Sequence, residues 1–252
     1  MRCLSAIRLI FLPVACISLF SCSHKSEEFV SEKLSDYLPL QSGKYITYRL
    51  DSLIYTSFGT VAETHRYQAK YVVDALITDN LGRPSYRVYT YIRDSAGTQS
   101  WTASGTYFVT PLADQLELIE DNFRFIKLHM PITEGFQWKG NSYLAFHPYA
   151  PAYNFTNDGD IQDWEFTYDP IDTDISYRGN NYKDVLTVEE ADDQANVPVT
   201  NPNDIGYQTL SLEKYAKGIG LVFRKHILWD YQPYPTAHYT GFGITLWMID
   251  HN

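Results

Sequence analysis

Cysteine is nearly absent from the 252-residue chain. There are three, Cys3, Cys16 and Cys22, and none follows residue 22. The sequence beyond that point therefore holds no disulfide, no cysteine-ligated metal and no thiol nucleophile. A segment of that length can bury a core without covalent staples. Long apolar runs are missing as well. The stretch from Leu9 to Phe20 has twelve residues, interrupted by Pro13, whereas a membrane-spanning helix needs about 20. Positive charge is scarce: 20 Lys and Arg stand against 30 Asp and Glu, a net charge of −10. Such a surface repels phosphate backbones and anionic headgroups, which excludes nucleic acid as a partner. Catalytic signatures are absent too. The seven histidines form no His-x-His, His-Glu-x-x-His or His-x₃-His pair, so a zinc site would have to be gathered from distant loops, for instance His147 and His238. There is no Gly-x-Ser-x-Gly elbow and no Walker loop, and Gly218-Ile219-Gly220 opens a strand-like run instead of a helix. No repeat of 20–50 residues is present.

What the N-terminus does contain is ordered like a targeting segment. Arg2 and Arg8 precede the short apolar run, the layout of a signal peptide over residues 1–21. Leu19-Phe20-Ser21-Cys22 resembles the lipobox of bacterial lipoproteins, with Phe20 bulkier than usual at its position. The resemblance implies that Cys22 becomes a lipidated N-terminus, palmitate-type acyl chains anchoring it to a membrane. Removing residues 1–21 takes away two arginines and no acid, leaving a charge of −12. Residues 22–36 are polar and charged and read as a tether. Within them Lys25, Glu27 and Glu28 resemble the signal that sends some Bacteroidota lipoproteins to the cell surface. The expected location is the outer membrane, on its periplasmic or its surface face.

From residue 37 to 252 the pattern is β. Ile46, Tyr48, Leu50 and Ile54 alternate with Thr47, Arg49 and Asp51, and the same period of two recurs in "YRVYTYIRDS", "FRFIKLHM", "DWEFTYD", "LVFRKHILWDY" and "GFGITLWMID". Turn chemistry separates the runs at 79–82, 94–97, 178–181 and 217–218. Twenty-one tyrosines and thirteen phenylalanines suit half-buried pleated surfaces. The expectation is one mainly β domain, an antiparallel open barrel or sandwich of about 10–13 strands. Helix is expected only as a turn or two around "SLEKYAKG" (211–218) and as a short piece in the tether. Three longer loops are expected at 146–160, 191–206 and 230–241, where a β scaffold commonly carries function.

Candidate sites are few. Asn154, Thr156, Asp158, Asp160 and Glu165, with Gly159 and Ile161 between them, fall at the spacing of an EF-hand calcium loop. The flanks read as loop and strand instead of helices, and a polar turn feeding a strand is the plainer reading. Asp158, Asp160, Asp163 and Glu165 offer carboxylates for a glycan hydrolase, which needs two of them facing across a cleft. Tyr149, Tyr153, Tyr231, Tyr234 and Tyr239 lie in the expected loops and form a candidate binding rim, since a tyrosine combines an apolar body with a polar tip. Asp51-Ser52-Leu53 and Asp94-Ser95-Ala96 resemble a short O-glycosylation motif of exported Bacteroidota proteins.

Several segments together resemble a family of Bacteroidota outer-membrane lipoproteins: "YLPLQSGKYITYRLDSLIY", "PITEGFQWKGNSY", "DWEFTYDPID", "EKYAKGIGLVFRKHILWDYQP" and "GFGITLWMIDHN". The resemblance implies an exported, lipid-anchored β domain and transfers no catalytic residue and no cofactor. The function expected on these grounds is non-enzymatic binding of an envelope protein, a lipid or a glycan, with a glycan hydrolase or a structural envelope component as alternatives.

Overall fold

The computed structural model describes residues 32–170, 174–177 and 180–252. The signal segment, Cys22, most of the tether and the turn residues Arg178 and Gly179 lie outside the described residues. A single helical turn, α1 (Leu34–Tyr37), precedes a six-strand meander: β1 (Tyr45–Thr56), β2 (Val61–Thr78), β3 (Pro84–Asp94), β4 (Thr102–Pro111), β5 (Gln115–Glu120) and β6 (Phe123–His129). A connecting segment follows, with β7 (Gln137–Trp138), the helical turn α2 (Ala150–Tyr153), a 3-10 turn at Ile161–Asp163 and β8 (Phe166–Tyr168). A small hairpin of β9 (Ile175–Tyr177) and β10 (Asn180–Tyr182) leads into β11 (Val185–Ala195), β12 (Gly206–Ala216), β13 (Gly220–Gln232) and β14 (His238–His251).

Twelve strands make one antiparallel sheet in the order β6-β5-β4-β3-β2-β1-β14-β13-β12-β11-β8-β7. The first and last long strands, β1 and β14, pair along Ile46–Leu53 and so join the two meanders. The sheet curls into a nearly closed barrel, and its two edges meet at a seam that uses few ladder bonds. Ile126 of β6 donates its backbone N–H to the Gly140 carbonyl at 2.7 Å. The Trp138 indole returns a bond to the Ile126 carbonyl at 2.8 Å. The Tyr168 hydroxyl accepts from the His129 N–H (2.9 Å) and donates to the His129 carbonyl (2.6 Å). Edge strands otherwise expose unpaired backbone groups, so the side chains of two aromatics do here what a ladder does elsewhere. The approach is close enough that a Cβ on residue 140 would lie 2.2 Å from the Phe166 ring, which is why glycine stands there.

The period-two reading places Ile46, Tyr48 and Leu50 on the barrel's inner face, together with Tyr71, Leu246 and Met248. Three expectations are corrected. Residues 211–216 are strand, not helix: they pair with β11 on one side and β13 on the other. Ser211, Glu213 and Tyr215, spaced two apart, are all buried, a pleat's pattern and not a helix's. The expected loop at 191–206 contracts to 196–205, because Asp192 to Ala195 continue the ladder with their side chains largely exposed. That at 230–241 contracts to 233–237, because Tyr231 and Tyr239 are cross-strand partners and aromatic pairs stabilise a hairpin.

Candidate functional site

The barrel interior is divided in two. One end, marked by α1 and the chain's C-terminus, is packed by Tyr48, Tyr71, Tyr107 and Tyr215 and by Leu38, Pro39 and Leu40, which leave about 60 Å³. The other, bounded by α2, holds a chamber of about 760 Å³. Its walls are largely apolar: Leu50, Leu118, Phe123, Phe125, Phe242 and Ile244 come from the strands, and Phe146, Pro148, Tyr149 and Tyr153 from the segment around α2. A cavity of this size and lining is typical of a small-molecule site.

Between the two spaces lies a layer of charge. Lys127 Nζ is 2.7 Å from Glu190 Oε1 and 3.0 Å from Glu213 Oε1. Arg224 Nε is 2.7 Å from Glu213 Oε1, and its Nη1 is 3.9 Å from Glu120. The Tyr215 hydroxyl donates to the second Glu213 oxygen. Lys127 and Glu190 enter the interior by the same device. Each is the extra residue of a β-bulge: Leu116 and Glu117 pair with Leu128 and Ile126, passing over Lys127, while Glu189 and Ala191 pair with Leu212 and Ser211, passing over Glu190. A bulge re-aims one side chain off the ladder's alternation, and these two, one on the edge strand β6 and the other on β11, third from the opposite edge, meet.

The network sets the charge states. Burial pushes the Glu213 carboxyl up, but Arg224 and Lys127 override it and hold it at about 2. Burial opposes the Lys127 charge, yet Glu190 and Glu213 keep the ammonium above its ordinary range. Glu120 and Glu190 are raised, in both cases first by burial, with Arg224 opposing at Glu120 and Lys127 at Glu190. Beside them, Ser211 Oγ lies 2.5 Å from Glu190 Oε2 and 2.7 Å from His226 Nδ1. Burial, reinforced by Lys127 and Arg224, lowers His226 to about 3, so the ring is neutral at physiological pH. Its Nε2 is buried without a hydrogen-bond partner among the described residues. Serine here bridges the carboxylate and the imidazole. A hydrolytic triad has the imidazole in the middle, between serine and acid, so this arrangement does not prepare a nucleophile.

The segment around α2 is held in shape by one carboxylate of its own, and Asn157 Nδ2 ties it to β13 by donating to Asp230 Oδ1 at 3.0 Å. Asp158, fully buried, accepts from the Tyr149 N–H at 3.0 Å and sits 2.7 Å from His147 Nδ1. Tyr149 then packs edge-on against Phe123, Phe242 and His226, and Tyr153 stacks on Phe242 with 3.9 Å between centroids.

The five rim tyrosines fall in different places. Tyr149 and Tyr153 line the chamber. Tyr231 and Tyr239 belong to another cluster with Trp229 and Tyr55, the last stacked on Tyr239 at 5.1 Å. Tyr234 projects from the hairpin tip, 71% exposed. Of the calcium-loop residues, Asp158 is committed as above, Asn154 closes α2 in the left-handed conformation (φ 50°), and Glu165 is exposed. Asp163 pairs with Lys139 on the surface. Among the described residues no three His, Cys, Asp or Glu side chains gather as a metal would need. His147 is bound to Asp158, and His238 Nδ1 is paired with the Thr236 carbonyl. The residues of the charged layer carried no motif. Arg224 and His226 stand between Val222 and Leu228 on a face no more polar than the one carrying Lys225, so nothing in the sequence singles them out.

No protein-family model and no curated protein matches the chain. Among solved structures it is similar to a Bacteroides fragilis protein assigned to the exported class and to a YmcC-like fold, at 10% identity and a TM-score of 0.33, over 85% of this chain and 99% of that one. A likeness of that degree carries no argument about what the chamber holds.

Proposed function

We propose that this is an exported, lipid-anchored envelope protein that binds a small amphiphilic molecule inside its barrel without transforming it. The observation that carries the reading is the chamber of about 760 Å³, apolar around its walls and charged at its inner end. An amphiphile matches both surfaces at once: its body replaces water against Leu50, Phe123, Phe242 and Ile244, and its head meets the polar layer. The arrangement of Ser211, His226 and Glu190 supports binding over hydrolysis. The targeting layout that ends at Cys22 supports export and anchoring.

The experiment is titration of the purified domain with the neutral dye N-phenylnaphthylamine, with and without Ile244→Trp, which fills the chamber from β14. Saturable fluorescence enhancement, lost in the variant while its melting temperature stays within a few degrees, is expected. A wild-type protein that gives no saturable enhancement overturns the reading. Export and anchoring are tested separately, by whether Cys22→Ser releases the protein from the membrane fraction.

A further inference from the structure

The charged layer restricts the head group, and this inference rests on the reading that the chamber holds an amphiphile. Six ionisable chains of fixed sign line the chamber: the acids Glu120, Asp121, Glu190 and Glu213 and the bases Lys127 and Arg224. Both bases are already engaged, Lys127 by two carboxylates and Arg224 by Glu213 at hydrogen-bond distance with Glu120 beyond. Among the described residues, Glu120 is held by the longer contact of 3.9 Å. Whether Glu120 keeps its proton or loses it, no positive charge is left over for an incoming anion. An anionic head would be desolvated beside an acid excess, and a buried charge without a partner is strongly disfavoured.

The hydrogen-bond directions follow from proton counting. Glu190 is paired to Lys127 as a carboxylate and can only accept, so the single Ser211 proton goes to Glu190 Oε2. The Ser211 oxygen then accepts from His226 Nδ1–H at 2.7 Å. In the neutral ring this leaves a lone pair on Nε2, the atom without a partner among the described residues. A buried polar atom of this kind is costly unless something donates to it. The rings of Tyr149 and Phe242 pack on the imidazole at 5.8 and 5.6 Å and Nε2 is buried, so a head group reaches it by loosening that aromatic packing.

The geometry points to a ligand whose head carries no negative charge and donates a hydrogen bond, a hydroxyl-bearing amphiphile such as a glycerol ester in preference to a carboxylate. The test is displacement of N-phenylnaphthylamine from the wild-type domain by monolaurin and by laurate, which share one acyl chain, below their micellar concentrations. Monolaurin is expected to half-displace the dye at a concentration lower by about tenfold or more. Glu120→Gln, which removes a carboxylate from the layer, is expected to narrow that ratio at least about threefold by admitting laurate. His226→Phe is expected to weaken monolaurin and leave laurate unchanged. Laurate binding as well as or better than monolaurin overturns the inference, as does a ratio unaltered by both substitutions. A wild-type protein that binds no dye fails at the earlier step, the chamber itself, and is told apart by that.

Discussion

The two halves of the barrel interior are built from the same strands and solve opposite problems. In one, tyrosines fill the space: Tyr48 is 1% exposed, its ring meets Tyr71 at 5.0 Å, and its hydroxyl donates to the Leu221 carbonyl at 2.9 Å. In the other, about 760 Å³ is left open between the strand residues and the segment around α2. Protein interiors normally close-pack, so the fold places its aromatic bulk at one end for stability and leaves the other end open. The charged layer is the partition between them. Substitutions should therefore separate: those below the partition act on folding, those above it on binding.

The largest effect is expected from Tyr48→Ala. Removing a fully packed ring and the partner of the Leu221 carbonyl should cost about 3–5 kcal/mol in urea denaturation. The comparison breaks if this loss is below about 1 kcal/mol, for the lower half would then be no better packed than the upper. At the partition, Lys127→Met leaves Glu190 and Glu213 short of a cation and should destabilise by about 3 kcal/mol. Adding Glu190→Leu should recover most of that, because replacing a buried ion pair with apolar groups is far less damaging than breaking it. Failure of the second substitution to recover stability would mean that the bulges, and not the charges, require these residues.

A pH titration sharpens the same boundary. His226 is lowered from 6.5 to about 3 by burial, with Lys127 and Arg224 adding to the effect. Between those values the unfolded chain binds a proton that the folded chain does not, so this histidine's contribution to stability falls as pH falls. The loss from pH 7 to pH 5 is expected to be about 2 kcal/mol from this group. Glu213, lowered from 4.5 to about 2, adds its own loss, but only below pH 4.5. Glu120 and Glu190 are raised and work in the opposite sense, so the wild-type slope alone does not isolate the histidine. The difference between wild type and His226→Phe does: it should vary by about 2 kcal/mol over that range, and a constant difference would show that the imidazole is not buried neutral.

How much of this was legible in the sequence follows the pleat. Where alternation is unbroken, as in Ile46-Thr47-Tyr48-Arg49-Leu50, the inner face can be named residue by residue, and the strand count and antiparallel class follow from the turns. In 221–229 it cannot, because both faces mix apolar and polar residues: Val222, Arg224, His226 and Leu228 on one side, Phe223, Lys225, Ile227 and Trp229 on the other. Only the partner strands decide which face is inside. Lys127 and Glu190 are hidden by their bulges, since one extra residue shifts the parity of everything after it and leaves no mark in composition. The loops at 191–206 and 230–241 were over-long in the sequence because Asp, Asn and Pro read as turn residues, whereas Tyr231 and Tyr239 pair across the hairpin and pull the strands onward. Tyrosine abundance drew attention to five residues of which two line the chamber.

One of those two, Tyr153, set against Tyr48, gives the smallest and most discriminating test. Tyr153 is 41% exposed and touches the barrel mainly through its stack on Phe242. A stacked aromatic pair contributes about 0.5–1.5 kcal/mol beyond its buried area. Tyr153→Ala, which also gives up the buried part of the ring, should therefore cost about 2 kcal/mol of stability, under the expectation for Tyr48→Ala although both lose the same side chain. The ring nevertheless forms part of the chamber wall. Its removal should raise the dissociation constant for a neutral dye several-fold, by roughly the contact it withdraws. Tyr48→Phe, which keeps the ring and loses only the hydroxyl bond to Leu221, should cost about 1 kcal/mol of stability and leave dye affinity unchanged. Two tyrosine substitutions that both cost stability, of which only Tyr153→Ala weakens binding, would establish that the partition divides function as well as space. Equal effects on both readouts would reduce the chamber to a packing defect.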